Sequence, residues 1–317
     1  MSFTSLTEIL TETDQVTVVV ASRNRRDRLM ETLPRHAAPV ILVDNDSDDD
    51  SPDAVASAFP RVDLVRLAEN RGAAARNIGV ERARTPYVAF ADDDSFWTPG
   101  SLACAAQLMR DYPRVGLLTG RVLVGPEQWV DPTSVAQAAA PLGVPDGAPG
   151  PSVLGFLACA VVVRRDDFLA VGGFRPELRV YGEEALLAMD LAAAGQLLSY
   201  VPELTVRHLP QPAGRDVGAR RRMEARNRVL TALLRRPPAV VARTVAGAWR
   251  EDPGAVRDVA RLLPWALRQR RPLPSEVESA LTALGAFGAD GASHGIKMPR
   301  RMRPTSRPAG PRCEPPS

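Results

Sequence analysis

Tyr87-Val88-Ala89-Phe90-Ala91-Asp92-Asp93-Asp94 runs from apolar residues straight into three consecutive carboxylates. The short β-branched and aromatic run predicts a buried strand at 87–90, so the acids stand at its carboxyl end. Three adjacent carboxylates repel one another, and a fold that gathers them supplies a cation or leaves them in water. A divalent metal with oxygen ligands, completed by substrate phosphates, is one reading. A solvated turn capping the next helix, expected at 101–110, is the other.

Working outward, similar runs predict strands at 16–20, 40–43 and 62–65, with helical patterns between them at 26–33, 53–59 and 73–83. Alternating β and α units imply a mostly parallel sheet, whose ligands gather at strand carboxyl ends. Polar residues stand at each such end: Ser22, Arg23, Asn24 and Arg25 after the first strand, and Asp44, Asn45 and Asp46 after the second. The acid-rich run 44–50 begins like an EF-hand loop. That reading fails because Asp49 occupies the glycine position and Val55 the bidentate glutamate position. A turn that points one carboxylate, Asp44, at a ligand fits better. Asn70-Arg71-Gly72-Ala73-Ala74-Ala75-Arg76-Asn77 offers small residues for close approach and an arginine fork for phosphate or carboxylate. Its spacing matches neither a P-loop nor a dinucleotide fingerprint. Further on, Gly182-Glu183-Glu184 opens a helix expected at 183–194, and His208 follows two body-closing apolar stretches at 200–201 and 204–206.

The 317 residues are 45% apolar and 24% charged, an ordinary globular balance that excludes a mainly disordered or fibrous chain. The longest apolar stretch, 153–163, predicts a buried strand or pair of strands and is about half of the ~20 residues a membrane span needs. The first ten residues lack a basic start followed by an apolar run, so a cytoplasmic protein is expected. Cys104, Cys159 and Cys313 share no C-x-x-C spacing, and reduced structural thiols are expected. A Pro/Gly-rich loop at 141–151 is a candidate lid. From residue 215 onward there are 21 Lys+Arg against 9 Asp+Glu, a net +12, which leaves −9 for residues 1–214. The expected organisation is a body at 1–214, an Arg-rich helical extension at 215–284 and a disordered tail at 285–317. Arg220, Arg221, Arg222, Arg226 and Arg228, with Trp249 and Trp265 beyond, suggest peripheral contact with an anionic membrane face. The absence of an ordered basic and aromatic repeat argues against nucleic acid.

In order, these segments resemble a family 2 glycosyltransferase of the GT-A fold, across about two thirds of the chain. Residues 16–25 resemble the opening strand and its Thr-Tyr-Asn-Arg-like end. Residues 41–51 resemble the Val-Val-Asp-Asn-x-Ser-x-Asp-x-Ser segment, and 70–79 the Asn-x-Gly-x-x-x-Ala-Arg-Asn-x-Gly stretch. Asp92 to Asp94 resemble the D-x-D element, Gly172-Gly173-Phe174 the Gly-Gly-Phe turn, and 182–195 the Gly-Glu-Asp helix.

The resemblance implies an α/β fold of GT-A type, a Rossmann-like, mostly parallel sheet flanked by helices, with the helical extension after it. It implies inverting transfer of a sugar from a nucleotide-sugar donor, a UDP-sugar by preference, to a glycan, lipid-linked or small-molecule hydroxyl. Ser22, Asn24, Arg25, Asp44, Asn70, Gly72, Arg76, Asp92 and Asp93 would hold the donor, with Asp44 at the nucleobase and Asp93 at the ribose. Asp92, Asp94 and His208 would hold Mn²⁺ or Mg²⁺, and Glu184 or Glu183 would be the general base. The sequence departs from the family pattern at Glu184, where aspartate is common, and at Leu186 and Asp190, where an acid and an arginine are common. A catalytically silent sugar-nucleotide-binding subunit and a sugar-phosphate nucleotidyltransferase are the competing readings. The latter should carry a glycine-rich loop after its first strand, and residues 21–25 contain no glycine.

Overall fold

Val16, Val18 and Val20 point to one side of β1 (Val16–Ser22) and Val19 to the other, and all four are buried. Apolar side chains on both faces mark a central strand covered by helices on each side. The computed structural model describes residues 14–210 and 216–293. β1 pairs in parallel with β2 (Val40–Asp44) on one side and β4 (Tyr87–Ala91) on the other, and β2 pairs in parallel with β3 (Asp63–Arg66). The chain order therefore reverses between β1 and β4, the place where an open α/β sheet leaves a crevice at its carboxyl edge. Register sets Ser22 beside Asp44.

Beyond β4 the expected parallel sheet becomes mixed. β8 (Val161–Arg164) runs antiparallel to β4 and to β6 (Val115–Val124), while β9 (Leu197–His208) runs parallel to β6. The short β5 (Ser95–Trp97) pairs antiparallel with β9, Ser95 opposite His208, and β7 (Trp129–Val130) pairs with β6. β9 is one strand where two segments are expected. Its register slips between Gly120 and Arg121 of β6, beside Pro202, so the proline sits at a bulge where no ladder donor is needed. Conversely, most of 153–163 is packed loop. Only its end joins β8, after a 3-10 turn at Ala158–Ala160, with Gln137 Nε2 donating to the Gly155 carbonyl at 2.8 Å.

Helices α1 (Arg26–Thr32), α2 (Ser51–Ala58) and α4 (Ser101–Asp111) contribute Leu29, Val55, Leu102 and Met109 to the core over Val16, Val18 and Val20. On the other face lie α3 (Ala75–Arg82), α6 (Arg165–Ala170) and α7 (Glu183–Ala193), which bring Val80, Phe168 and Leu187 against Val19 and Phe90. A Cβ on Gly79 would stand 2.4 Å from Val19 Cγ1, so glycine is what lets α3 lie on β1. α5 (Pro132–Ala138) precedes the 141–151 loop, whose second half is pinned to β9 by Ser199 Oγ donating to Gly150 O and Tyr200 N to Pro151 O, both 2.9 Å. Ser152 N also donates to Gly143 O at 2.8 Å, so the loop expected as a lid is tied across its base.

The extension is built on the body. α8 (Val217–Arg235), α9 (Pro238–Glu251) and α10 (Pro253–Arg268) share a third core with Leu178 and Leu186, and each buried leucine contributes about 1.5–3 kcal/mol. α11 (Ser275–Ser293) continues past residue 285, where a disordered tail was expected to begin. The remainder of that tail, 294–317, lies outside the described residues. Cys159 is buried and free as expected, but Cys104 is disulfide-bonded.

Candidate active site

The strand ends described above bring the acids together with their partners. At the end of β1, Ser22 Oγ donates to Asp93 Oδ2 at 3.1 Å and Arg25 Nε lies 3.6 Å from Asp93 Oδ1. Thr32 Oγ1 donates to the Asp93 carbonyl at 2.8 Å, fixing the turn from behind. Burial, with Asp94 and Asp92 adding repulsion, pushes the Asp93 carboxyl up to about 6.

Asp44 is buried at the end of β2 and closes a turn, accepting from Ser47 N at 3.2 Å and from Ser47 Oγ. Asn24, in left-handed backbone at φ 56°, ties the first loop to the second by donating N–H to Ser47 Oγ at 3.0 Å and accepting from Asp48 N at 2.8 Å. A cleft of about 340 Å³ opens beside these loops, lined by Asn24, Arg25, Asp49 and Asp50 among others. Asn45, expected among the polar residues after the second strand but assigned no role, accepts from Arg71 N at 2.8 Å and donates to Gly72 O at 3.1 Å. It joins the second strand end to the 70–74 segment. There Asn70 Oδ1 accepts from Gly72 N at 2.9 Å, and Gly72 at φ 60° packs so closely that a Cβ would fall 2.6 Å from Arg179 O.

Arg76, on the first turn of α3, reaches Asp92 with Nη2 2.5 Å from Oδ1 and lies over the Phe174 ring at 6.0 Å. Burial works against its charge, but Asp92, Glu183 and Glu184 outweigh it and hold the guanidinium more firmly protonated than usual. One residue further, Asn77 clamps Phe174 both ways, Nδ2 donating to its carbonyl at 2.8 Å and Oδ1 accepting from its N–H at 2.9 Å. The Gly-Gly-Phe turn is thereby fastened beneath Arg76. A Cβ on Gly173, at φ 59°, would meet Asn77 Oδ1 and the Phe168 ring at 2.6 Å.

Asp94 and His208 meet because β5 pairs with β9. His208 Nε2 lies 3.2 Å from Asp94 Oδ1, and Leu209 N donates to Asp94 O at 2.8 Å. Burial lowers the histidine's affinity for protons, but the Asp94 bond and charge outweigh it. A carboxylate and an imidazole at this separation suit a divalent cation whose remaining positions are filled by phosphate oxygens. Asp92 is turned toward Arg76 instead, and among the described residues no group of three or more His, Cys, Asp and Glu side chains converges as a complete metal cage.

Glu183 and Glu184 open α7 after Gly182, which adopts φ 92°. Glu184 Oε2 accepts from Gly182 N at 3.2 Å, and its side chain keeps partial access to solvent. Glu183 is 5% exposed, and its Oε2 has no hydrogen-bond partner. Burial, then the neighbouring Glu184 charge, pushes the Glu183 carboxyl up to about 8, and burial raises Glu184 as well. The arginine expected at position 190 is replaced by an acid that pairs with the extension: Arg235 Nη2 donates to Asp190 Oδ2 at 3.0 Å and Nε to Oδ1. Asn227 and Arg226 of α8 hold the carbonyls of the loop before α7, another contribution that motif matching missed. A readable signal existed, since Asn227 shares a helical stripe with Leu230 and Leu234.

The family model for glycosyl transferase family 2 matches residues 17–168. A Mycobacterium tuberculosis protein described as an N-acetylglucosaminyl-diphospho-decaprenol L-rhamnosyltransferase is 29% identical, over 56% of this chain and 68% of its own. Among solved structures, a Pyrobaculum calidifontis mannosyltransferase in complex with GDP-Man and Mn²⁺ superposes with a TM-score of 0.53 at 22% identity, covering 90% of this chain and 81% of its own. GalNAc-T7 with UDP, GalNAc and Mn²⁺ gives 0.57 at 15% identity, over 90% and 57%. These structural likenesses establish the fold. Residues 17–168 match glycosyl transferase family 2, and the chain is a glycosyltransferase that acts on nucleotide sugars.

Proposed function

We propose that the chain transfers a sugar, with inversion, from a nucleoside-diphosphate donor held at the β1–β4 crevice to a hydroxyl of a lipid-linked acceptor. The observation that carries this is the convergence on one edge of Asp92, Asp93 and Asp94 with Arg76, His208 and the Glu183–Glu184 pair. Asp44 faces the nucleobase and Asp93 the ribose, with Ser22, Asn24, Arg25, Asn70 and Gly72 shaping the loops around them. Asp94 and His208 would hold Mn²⁺ or Mg²⁺, which when bound neutralises the departing diphosphate. Arg76 supplies fixed positive charge beside the same leaving group. Glu184 takes the acceptor hydroxyl proton as the oxygen attacks the anomeric carbon, a contribution of ~10² to 10⁴ in rate. Its partial access and raised proton affinity suit that role. Glu183, buried and held protonated to a higher pH, supports it from behind.

The acceptor class rests on the decaprenol-linked substrate in the rhamnosyltransferase's name and on the surface of the extension. Trp249, Leu263 and Leu267 are exposed large apolar residues, and a groove of about 520 Å³ is lined by Ala242, Val245, Ala246, Trp249 and Arg250. The arginines expected to face a membrane are mostly used within the fold. Arg222 pairs with Asp258, Arg228 with Glu251 and Arg220 with Glu224, while Arg226 is buried. Arg243, Arg250, Arg257 and Arg268 of α9 and α10 are exposed, and Arg250 lines the apolar groove. No helix among the described residues is long and apolar enough to cross a membrane, so contact would be peripheral. Co-sedimentation with anionic vesicles at low salt, lost in Trp249→Ala with Arg250→Ala, tests the surface; equal sedimentation by wild type and variant removes it. For the chemistry, Glu184→Gln should bind donor normally and lose transfer. Normal turnover by that variant would rule Glu184 out as the base.

A further inference from the structure

The loop before α7 is held in a conformation that its own sequence does not favour. Arg179 has φ 61°, Tyr181 φ 70° and Gly182 φ 92°, so two residues with side chains sit in the left-handed region within five positions of Glu184. Such backbone persists only where surrounding contacts over-determine it. The contacts come from the extension. Asn227, fully buried on α8, donates its side-chain amide to the carbonyls of Leu178 at 2.8 Å, Val180 at 2.9 Å and Tyr181 at 2.8 Å. Its Oδ1 accepts from Arg226 Nη1 at 3.2 Å, which fixes the amide the right way round, and Arg226 Nη2 donates to Glu177 O. The loop's other side touches the donor segment, where Ala73 N donates to Arg179 O at 2.7 Å.

From this geometry we infer that Asn227, backed by Arg226, is a positioning residue for the general base, so that α8 is part of the catalytic apparatus. Asn227 touches neither donor nor acceptor. It fixes the carbonyl of Tyr181, and thereby the adjoining Gly182 N–H on which the Glu184 carboxylate rests. Aspartate has the same shape but offers no donor, and it would set a negative charge against three carbonyl oxygens. Leucine or alanine would leave those carbonyls unpaired in a buried site. The inference rests on Glu184 or Glu183 being the base.

The test compares Asn227→Asp with Leu230→Ala, which removes buried packing from the same helix but no hydrogen bond to the loop, both assayed well below their unfolding temperatures. Asn227→Asp should lower kcat at least tenfold with the donor KM within twofold of wild type. Leu230→Ala should keep kcat within twofold even where its Tm falls as far. If Asn227→Asp does not fold, Asn227→Ser, which retains one donor, should give an intermediate kcat. Unchanged kcat in the Asn227 variants, or an equal loss in Leu230→Ala, overturns the inference. Glu184→Gln run alongside separates the two ideas: its inactivity with an unaffected Asn227→Asp refutes only the positioning role, whereas full activity of Glu184→Gln and of Glu183→Gln removes the base and the inference together.

Discussion

Asp190 and Arg235 form an ion pair between α7 and α8 whose side chains are only 10% and 6% exposed. Both carboxylate oxygens accept from the guanidinium, and Arg235 Nη1 also donates to Leu234 O at 3.1 Å and Gln269 O at 3.2 Å. Asp190→Ala leaves that guanidinium buried with two carbonyl partners and no counter-charge. Breaking a buried pair in this way costs about 3–5 kcal/mol, far more than an exposed pair is worth. At roughly 2 °C per kcal/mol for a chain this long, Tm should fall by about 6–10 °C. Arg235→Met alone leaves a buried carboxylate and should cost a similar amount. Removing both charges together, Asp190→Ala with Arg235→Met, leaves no unpaired buried charge and should cost less than either single variant. Urea unfolding followed by circular dichroism, with m compared across the four proteins, measures the cycle. A cost below 1 kcal/mol for Asp190→Ala, or strict additivity in the double variant, would refute the view that this pair fastens the extension to the base-bearing helix.

Glu183 makes stability depend on pH. With its carboxyl held up to about 8 against an unfolded value near 4.5, the folded protein keeps a proton that the unfolded chain has released. Stability should therefore fall as pH rises from about 5 through 8, and Glu183→Gln should flatten that decline in urea titrations; an unchanged slope would contradict it. Gly72→Ala should weaken donor binding and lower Tm together, because the added Cβ meets Arg179 O at 2.6 Å in left-handed backbone. Calorimetric titration with nucleotide checks it, and wild-type affinity would show that the 70–74 segment does not shape the donor site.

The parallel half of the fold was legible because each strand is a short apolar run that ends in polar residues. Val19 and Phe90 needed only their neighbours in sequence to be placed. The gathering of Asp44, Arg76 and Asp92 to Asp94 at one edge of the sheet was legible for the same reason, since they follow strands or open helices. The pairing of Asp94 with His208 was expected as a metal pair, but its cause was not, because β5 is three residues long and carries no periodicity. β9 was read as two pieces because Pro202 looks like a terminator until the bulge in β6 pairing is seen. Three of the α8 arginines expected at a membrane face also pair with acids of the fold. Composition shows their charge, but only the fold shows that Asp258, Glu251 and Glu224 answer it. Asn227 escaped notice because a buried amide acts through three carbonyls, and backbone acceptors leave no mark in a sequence.

The central claim is a metal-dependent nucleotide-sugar site at the β1–β4 crevice. Thermal unfolding of the full chain against UDP, dTDP, GDP and CDP, each with and without Mn²⁺ and with Asp94→Ala beside wild type, tests it most directly. One nucleotide should stabilise the wild type by about 2.7 kcal/mol at 100 times its Kd. That shift should require Mn²⁺ and disappear in Asp94→Ala. No shift with any nucleotide in the folded protein, or a shift indifferent to both Mn²⁺ and Asp94, would contradict it.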